Sequence, residues 1–210
     1  MIAFTAKTKL LFIGDSITDC GRREDKEEIG NGYVRLVRDL LLASSPVTAP
    51  VVINRGISGN KIADLQKRWQ RDVLDLSPDV LSIYIGINDV WHGLFPGREG
   101  TSIGRFIEGY RDILTRTRVA LPDCKLILCE PSVIWPPVHK QGNEMLAPYV
   151  RAVHEMSKEF DAVCVVLLHA AFNDARAVRA DPAWTTDGVH PTSTGHMLIA
   201  QTWLAAVTRS

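Results

Sequence analysis

A serine, a histidine and an aspartate in this chain have the types and spacing that acyl-transfer chemistry requires. Gly14-Asp15-Ser16 directly follows a short apolar run, Leu10 to Ile13, where the chain must turn sharply. Glycine permits such a turn and leaves the Ser16 hydroxyl exposed at a strand end. A serine hydroxyl is a poor nucleophile at neutral pH until a base accepts its proton. Asp187-Gly188-Val189-His190-Pro191 offers the base and a group to orient it. Gly188 gives this short loop freedom and Pro191 stiffens it, so the carboxylate can reach one ring nitrogen while the other points away. That fixes the tautomer a general base needs. Each motif alone is a common turn or helix-capping sequence. Together they point to a hydrolase with Ser16 as nucleophile, His190 as base and Asp187 as its orienting partner.

Acyl transfer also needs hydrogen-bond donors aimed at the developing oxyanion, each worth roughly 10²- to 10³-fold in rate. Gly86-Ile87-Asn88-Asp89 offers one: the neutral Asn88 amide can donate, whereas an ionised Asp89 can only accept. Asn54-Arg55-Gly56-Ile57-Ser58-Gly59-Asn60 offers another, since a glycine lets its backbone N–H approach a substrate closely. Gly59 is preferred there, with Gly56 the fallback, and the Ser16 N–H completes the expected oxyanion hole. Asp15, Trp91 and Trp135 are the candidate substrate contacts. An indole on either aromatic loop could stack on a sugar face or simply pack beneath its own loop.

The other five histidines lack this arrangement of aspartate, glycine and proline. His139, His154 and His196 have basic, helical or polar neighbours that suggest surface or capping roles, His169 ends a strand, and His92 is a pocket candidate. No pair has H-x-x-x-H spacing and the four cysteines match no zinc pattern, so neither a metal nor any cofactor is expected. The cysteines are expected to be free thiols in or beside strands.

Five strand-length runs rich in Leu, Ile and Val must carry these residues: Lys9 to Ile13, Val51 to Asn54, Val80 to Ile85, Lys125 to Glu130 and Val163 to Leu167. None alternates with period two, and near-continuous apolar runs signify strands buried on both faces of a parallel sheet. Between them, Ser102 to Leu121 places apolar residues at 103, 106, 107, 110, 113 and 114, a helix with one buried stripe and Ser102 as its N-cap. Similar helices are expected near Tyr33 to Ala43, Ile62 to Leu76, Glu144 to Phe160 and Thr194 to Thr208. The β-α alternation implies an α/β protein, a three-layer α/β/α sandwich on a five-stranded parallel sheet, with residues 1–210 forming one domain. Its ligands would bind at the carboxyl edge of the strands, where the loops from Trp91 to Thr101 and from Pro131 to Asn143 also emerge.

Composition narrows the partners. Twenty-four basic residues balance 24 acidic ones, which leaves no overall field to draw the chain onto nucleic acid or an anionic membrane. No apolar stretch approaches the roughly 20 residues of a membrane span, and the amino terminus lacks the pattern of a secretory signal, so a cytoplasmic protein is expected. Loop aromatics leave room for a homo-oligomer.

In this order and spacing, Ser16, Gly59, Asn88 and His190 resemble the four blocks of the SGNH (GDSL-type) hydrolases, over Leu10 to Trp203. The resemblance implies a flavodoxin-like fold and the roles of nucleophile, two oxyanion donors and base, with Asp187 orienting the base. The strings Leu10 to Arg22, Gly56 to Asn60 and Gly86 to Trp91 are similar to those of intracellular bacterial acetylxylan esterases. That implies an acetylated oligosaccharide as substrate. A lysophospholipase or acyl thioesterase is the alternative within the superfamily, and a carbohydrate-binding protein without turnover is the alternative outside enzymology.

Overall fold

The computed structural model describes residues 2–132, 140–179 and 183–208. Its core is a parallel sheet of five strands, β1 (Lys9–Gly14), β2 (Val51–Asn54), β3 (Val80–Tyr84), β4 (Lys125–Cys129) and β5 (Cys164–Val166), in the order β2-β1-β3-β4-β5. The register pairs Phe12 with Asn54 on one side and with Ser82 on the other, and Tyr84 with Cys129. The three inner strands are enclosed almost throughout, while Val51 on the edge strand β2 is 52% exposed. Continuous apolar runs are thus explained by helices on both faces.

Among the described residues, eight α-helices surround the sheet: α1 (Ser16–Asp19), α2 (Tyr33–Ser44), α3 (Ile62–Asp72), α4 (Ile87–Trp91), α5 (Ile103–Ala120), α6 (Lys140–Glu159), α7 (Leu168–Val178) and α8 (Ser193–Thr208). On one face α2 packs against α8. Phe12 meets Tyr33 and Trp203 there, with ring centroids 5.8 and 5.2 Å apart, and the Trp203 Nε1–H donates to Ser82 Oγ at 3.0 Å. On the other face α3, α5 and α6 pack side by side, and Trp69 Nε1–H donates to Thr117 Oγ1 at 3.0 Å. Gly109 allows α3 and α5 to close on each other, because a Cβ there would sit 2.9 Å from Ile62 Cγ1. Ser102 caps α5 as expected, accepting from Arg105 N.

Three of these helices were not expected. Two, α1 and α4, are single turns too short to show periodicity, and α7 follows β5 within one apolar stretch whose helical spacing is masked by its neighbours. The expected helix at Glu144 begins earlier, at Lys140.

The chain passes from β1 to β2 over one face, then crosses back to β3 over the other. A crevice opens at the carboxyl ends of β1 and β3, where the strand order reverses. None of the helices among the described residues is long and apolar enough to cross a membrane.

Candidate active site

Ser16 opens α1 at this crevice and is half-buried. Gly14 is required less for the turn than for close approach: a Cβ there would lie 2.2 Å from the Tyr84 carbonyl oxygen and 2.4 Å from Thr18 Oγ1. Asp15 is enclosed at 1% exposure beneath the serine, where its Oδ1 accepts from Ile17 N at 3.0 Å. It was expected at the substrate, but a carboxylate so enclosed acts on α1 instead. Burial raises its pKa to about 7, with backbone hydrogen bonding and His190 opposing the shift and Asp89 adding to it.

The loop before α8 brings the other two groups to the serine. Ser16 Oγ lies 2.9 Å from His190 Nε2, and His190 Nδ1 lies 2.7 Å from Asp187 Oδ2. Asp187 Oδ1 accepts the backbone N–H groups of Val189 and His190, at 3.0 and 2.8 Å. Burial opposes ionisation of Asp187, but these bonds and the ring hold its carboxyl below the usual range. The ring therefore carries its proton on Nδ1 and presents a free lone pair to Ser16. Thr186 N donates to the His190 carbonyl, and a bridge between Thr185 and Pro191 closes the loop.

The expected oxyanion donors lie on the neighbouring loops. Gly59, after β2, has φ +78° and open space where a Cβ would stand, and no acceptor among the described residues takes its N–H. Gly56, the fallback, is committed elsewhere: its N–H goes to Asn54 Oδ1 and its carbonyl accepts from Arg22 Nε. Asn88 lies in α4 and its Nδ2 donates to the Asn60 carbonyl at 3.1 Å, which ties the two loops together. Asp89 turns away, its carboxylate accepting from Ile62 N at the start of α3. Burial raises its pKa to about 6.

Of the expected substrate contacts, Trp91 is half-buried at the end of α4, its ring 4.9 Å from that of Phe95. Trp135 and His139 lie outside the described residues. Of the surface or capping roles expected of His196, the structure shows a capping contact at the start of α2 and not a surface position. It is buried, with Nδ1 accepting from Tyr33 N at 3.1 Å, and burial lowers its pKa to about 4. His154 pairs with buried Glu130, Nε2 to Oε1 at 2.7 Å. All four cysteines are free, Cys124 and Cys129 buried, Cys20 and Cys164 partly so.

Two residues that shape the site were not anticipated. Asn60 accepts from Asn88, and Arg68 donates to Asn60 Oδ1 at 2.8 Å. Arg68 and Asp72 interrupt the buried stripe of α3 at helical i, i+4 spacing, a readable sign of an enclosed ion pair.

The chain resembles known proteins over nearly its whole length. Residues 12–198 match the GDSL-like lipase/acylhydrolase family. The chain is 35% identical over 213 residues to an acetylxylan esterase of Geobacillus stearothermophilus, covering 95% of this chain and 93% of that one. The crystal structure of Axe2, an acetylxylan esterase from the same organism, is similar with a TM-score of 0.90 at 34% identity, over 100% of this chain and 98% of that chain. Three further solved forms of Axe2 are catalytic mutants, with alanine in place of a serine, an aspartate or a histidine. The latter two lie three residues apart, as Asp187 and His190 do here.

Proposed function

Since the chain belongs to the GDSL-like lipase/acylhydrolase family and is a carboxylic ester hydrolase, we propose that it removes acetyl groups from a carbohydrate, through an acyl-Ser16 intermediate. The observation that carries the mechanism is the unbroken chain of hydrogen bonds from Asp187 through His190 to Ser16, at 2.7 and 2.9 Å. Ser16 Oγ attacks the ester carbonyl carbon while His190 Nε2 takes its proton. The carbonyl π electrons move onto oxygen, which is held by the N–H groups of Ser16 and Gly59 and by Asn88 Nδ2. Collapse of this intermediate expels the alcohol, to which the imidazolium returns the proton. Water, deprotonated by His190, then cleaves the acyl-serine to acetate. The steps require no cofactor.

The substrate class rests on likeness to acetylxylan esterases across nearly the full length of both chains. An acetylated xylo-oligosaccharide is the substrate of choice for testing it. A cytoplasmic site of action would restrict it to fragments small enough to be taken up. The long-chain alternative would need a long apolar groove beside Ser16; the apolar cavity of about 380 Å³ lined by Ile2, Phe4, Leu41 and Leu204 opens at the opposite edge of the sheet and does not serve it.

Hydrolysis of p-nitrophenyl acetate and of acetylated xylo-oligosaccharide by wild type and Ser16→Ala, both shown folded by circular dichroism, tests the reading. Wild-type turnover of both that vanishes in the variant supports it. Turnover of the aryl ester alone keeps the mechanism and discards the sugar, and activity surviving Ser16→Ala removes the mechanism.

A further inference from the structure

A buried charge in α3 sends its hydrogen bonds into the segments of the site. Arg68 is 8% exposed in the middle of α3, beside Leu65 and Trp69. A guanidinium enclosed in this way costs several kcal/mol unless it is paired and its donors are taken. Asp72, one turn further on, supplies the counter-charge, with Nη1 to Oδ2 at 2.9 Å. The other three hydrogen bonds of Arg68 reach the segments that frame Ser16. Nη2 donates to the Gly14 carbonyl at 3.0 Å, Nη1 to the Arg55 carbonyl at 2.7 Å, and Nε to Asn60 Oδ1 at 2.8 Å.

Each acceptor lies close in sequence to a group of the proposed mechanism. Gly14 precedes Ser16 by two residues, and Arg55 opens the loop that carries Gly59. Asn60 follows Gly59, and its carbonyl receives Asn88 Nδ2. One planar fork with fixed donor angles therefore spans the nucleophile's strand and the Gly59 loop directly, and reaches Asn88 through Asn60. A lysine, a point charge on a flexible stem, could satisfy one of these acceptors but not hold their mutual spacing.

We propose that Arg68 is the positioning residue of the oxyanion hole: without touching substrate, it sets where Gly59 N–H and Asn88 Nδ2 stand relative to Ser16 Oγ. The inference rests on the Ser16 esterase reading above. Asp72 offsets the charge of Arg68 and also accepts from Arg71, so the contribution is geometric rather than a long-range field. Donors placed for an oxyanion act chiefly in the transition state, so misplacing them lowers kcat and leaves KM little changed.

The experiment measures p-nitrophenyl acetate kinetics and inhibition by phenylboronic acid, which forms a tetrahedral adduct on serine. The proteins are wild type, Ser16→Ala, Arg68→Lys, Asn88→Ala and the Arg68→Lys/Asn88→Ala double variant, each checked for native near-UV dichroism. Arg68→Lys is expected to lower kcat by about 10- to 100-fold and to weaken boronate binding in parallel, with KM within about threefold. In the Asn88→Ala background the same change should cost several-fold less than in wild type, because one of the two donors it positions is already gone.

A kcat within about threefold of wild type, or a full loss repeated in the Asn88→Ala background, overturns the proposal. If Arg68→Lys does not fold, Asn60→Ala removes one end of the clamp and is read the same way: lower kcat at constant KM supports the role, and unchanged kcat overturns it. Ser16→Ala separates the two levels of inference. Activity without Ser16 removes the esterase reading, whereas a dead Ser16→Ala beside a fully active Arg68→Lys removes only the positioning role.

Discussion

Asp187 holds His190 at two points, taking the ring through Oδ2 at 2.7 Å and the backbone N–H through Oδ1 at 2.8 Å. The carboxylate thus fixes both where the imidazole sits and which nitrogen carries its proton. These are separable, since an amide of the same shape could keep the backbone bond while presenting a donor to the ring.

Asp187→Asn should therefore fold normally and lose about 10³- to 10⁴-fold in kcat, because the amide N–H pushes the ring proton onto Nε2, the nitrogen that must accept from Ser16. Steady-state kinetics on an aryl acetate, with circular dichroism to confirm the fold, would check this. A loss below about tenfold would mean that His190 is oriented by other contacts.

Asn88 offers a sharper discrimination. Asn88→Ala removes one oxyanion donor and should lower kcat by about 10²- to 10³-fold. Asn88→Asp, nearly isosteric, should be worse at neutral pH, because an ionised carboxylate cannot donate and repels the oxyanion. If the aspartate variant outperforms the alanine variant at pH 8, Asn88 is not a donor in the transition state.

Two buried groups set opposite trends of stability with pH. Asp15 has a folded pKa of about 7, above the ordinary value of 3.8, so the folded chain binds more protons than the unfolded chain between these values. Its contribution to stability falls as pH rises through that window. His196, lowered to about 4 from 6.5, binds fewer protons when folded, so its contribution falls as pH drops through that range. Asp15→Asn should accordingly raise Tm relative to wild type more at pH 8 than at pH 5. A His196→Gln variant should lose less Tm than wild type between pH 6.5 and pH 4.5. Thermal melts across pH would show both, and parallel curves for variant and wild type would refute the assignments.

Much of this arrangement was legible because burial dictates composition. Continuous runs such as Leu10 to Ile13 identified strands covered on both faces, and the five strands fall within a residue or two of the expected limits. Ser16, Asp187 and His190 could be paired because their chemistry requires one another. Groups whose role is to be enclosed were harder to read. Asp15 adjoins the serine in sequence and so suggested a ligand contact, yet the chain folds it beneath α1. The polar neighbours of His196, Ser, Thr and Gly, suggest a surface or capping role; it does cap the start of α2, but from the buried face of α8, beside Ile199, Ala200 and Trp203. The helical spacing held that information and local polarity obscured it.

Gly14 and Gly59 show how differently two glycines of one site respond to the same change. At Gly14 an added methyl group meets the Tyr84 carbonyl at 2.2 Å, backbone that is anchored in β3 and cannot give way. Overpacking of this kind typically costs about 1–3 kcal/mol or more, and it would displace Ser16 as well. At Gly59 the methyl group enters open space, and the cost is the left-handed backbone alone, about 1–2 kcal/mol. Gly59→Ala should consequently remain folded with Tm lower by about 2–8 °C, its kcat reduced through a shifted N–H. Gly14→Ala should lose more Tm and most of its activity. Differential scanning calorimetry beside aryl acetate kinetics would rank the two, and a Gly14→Ala protein as stable as Gly59→Ala would mean that β1 and β3 can separate at Gly14 without cost.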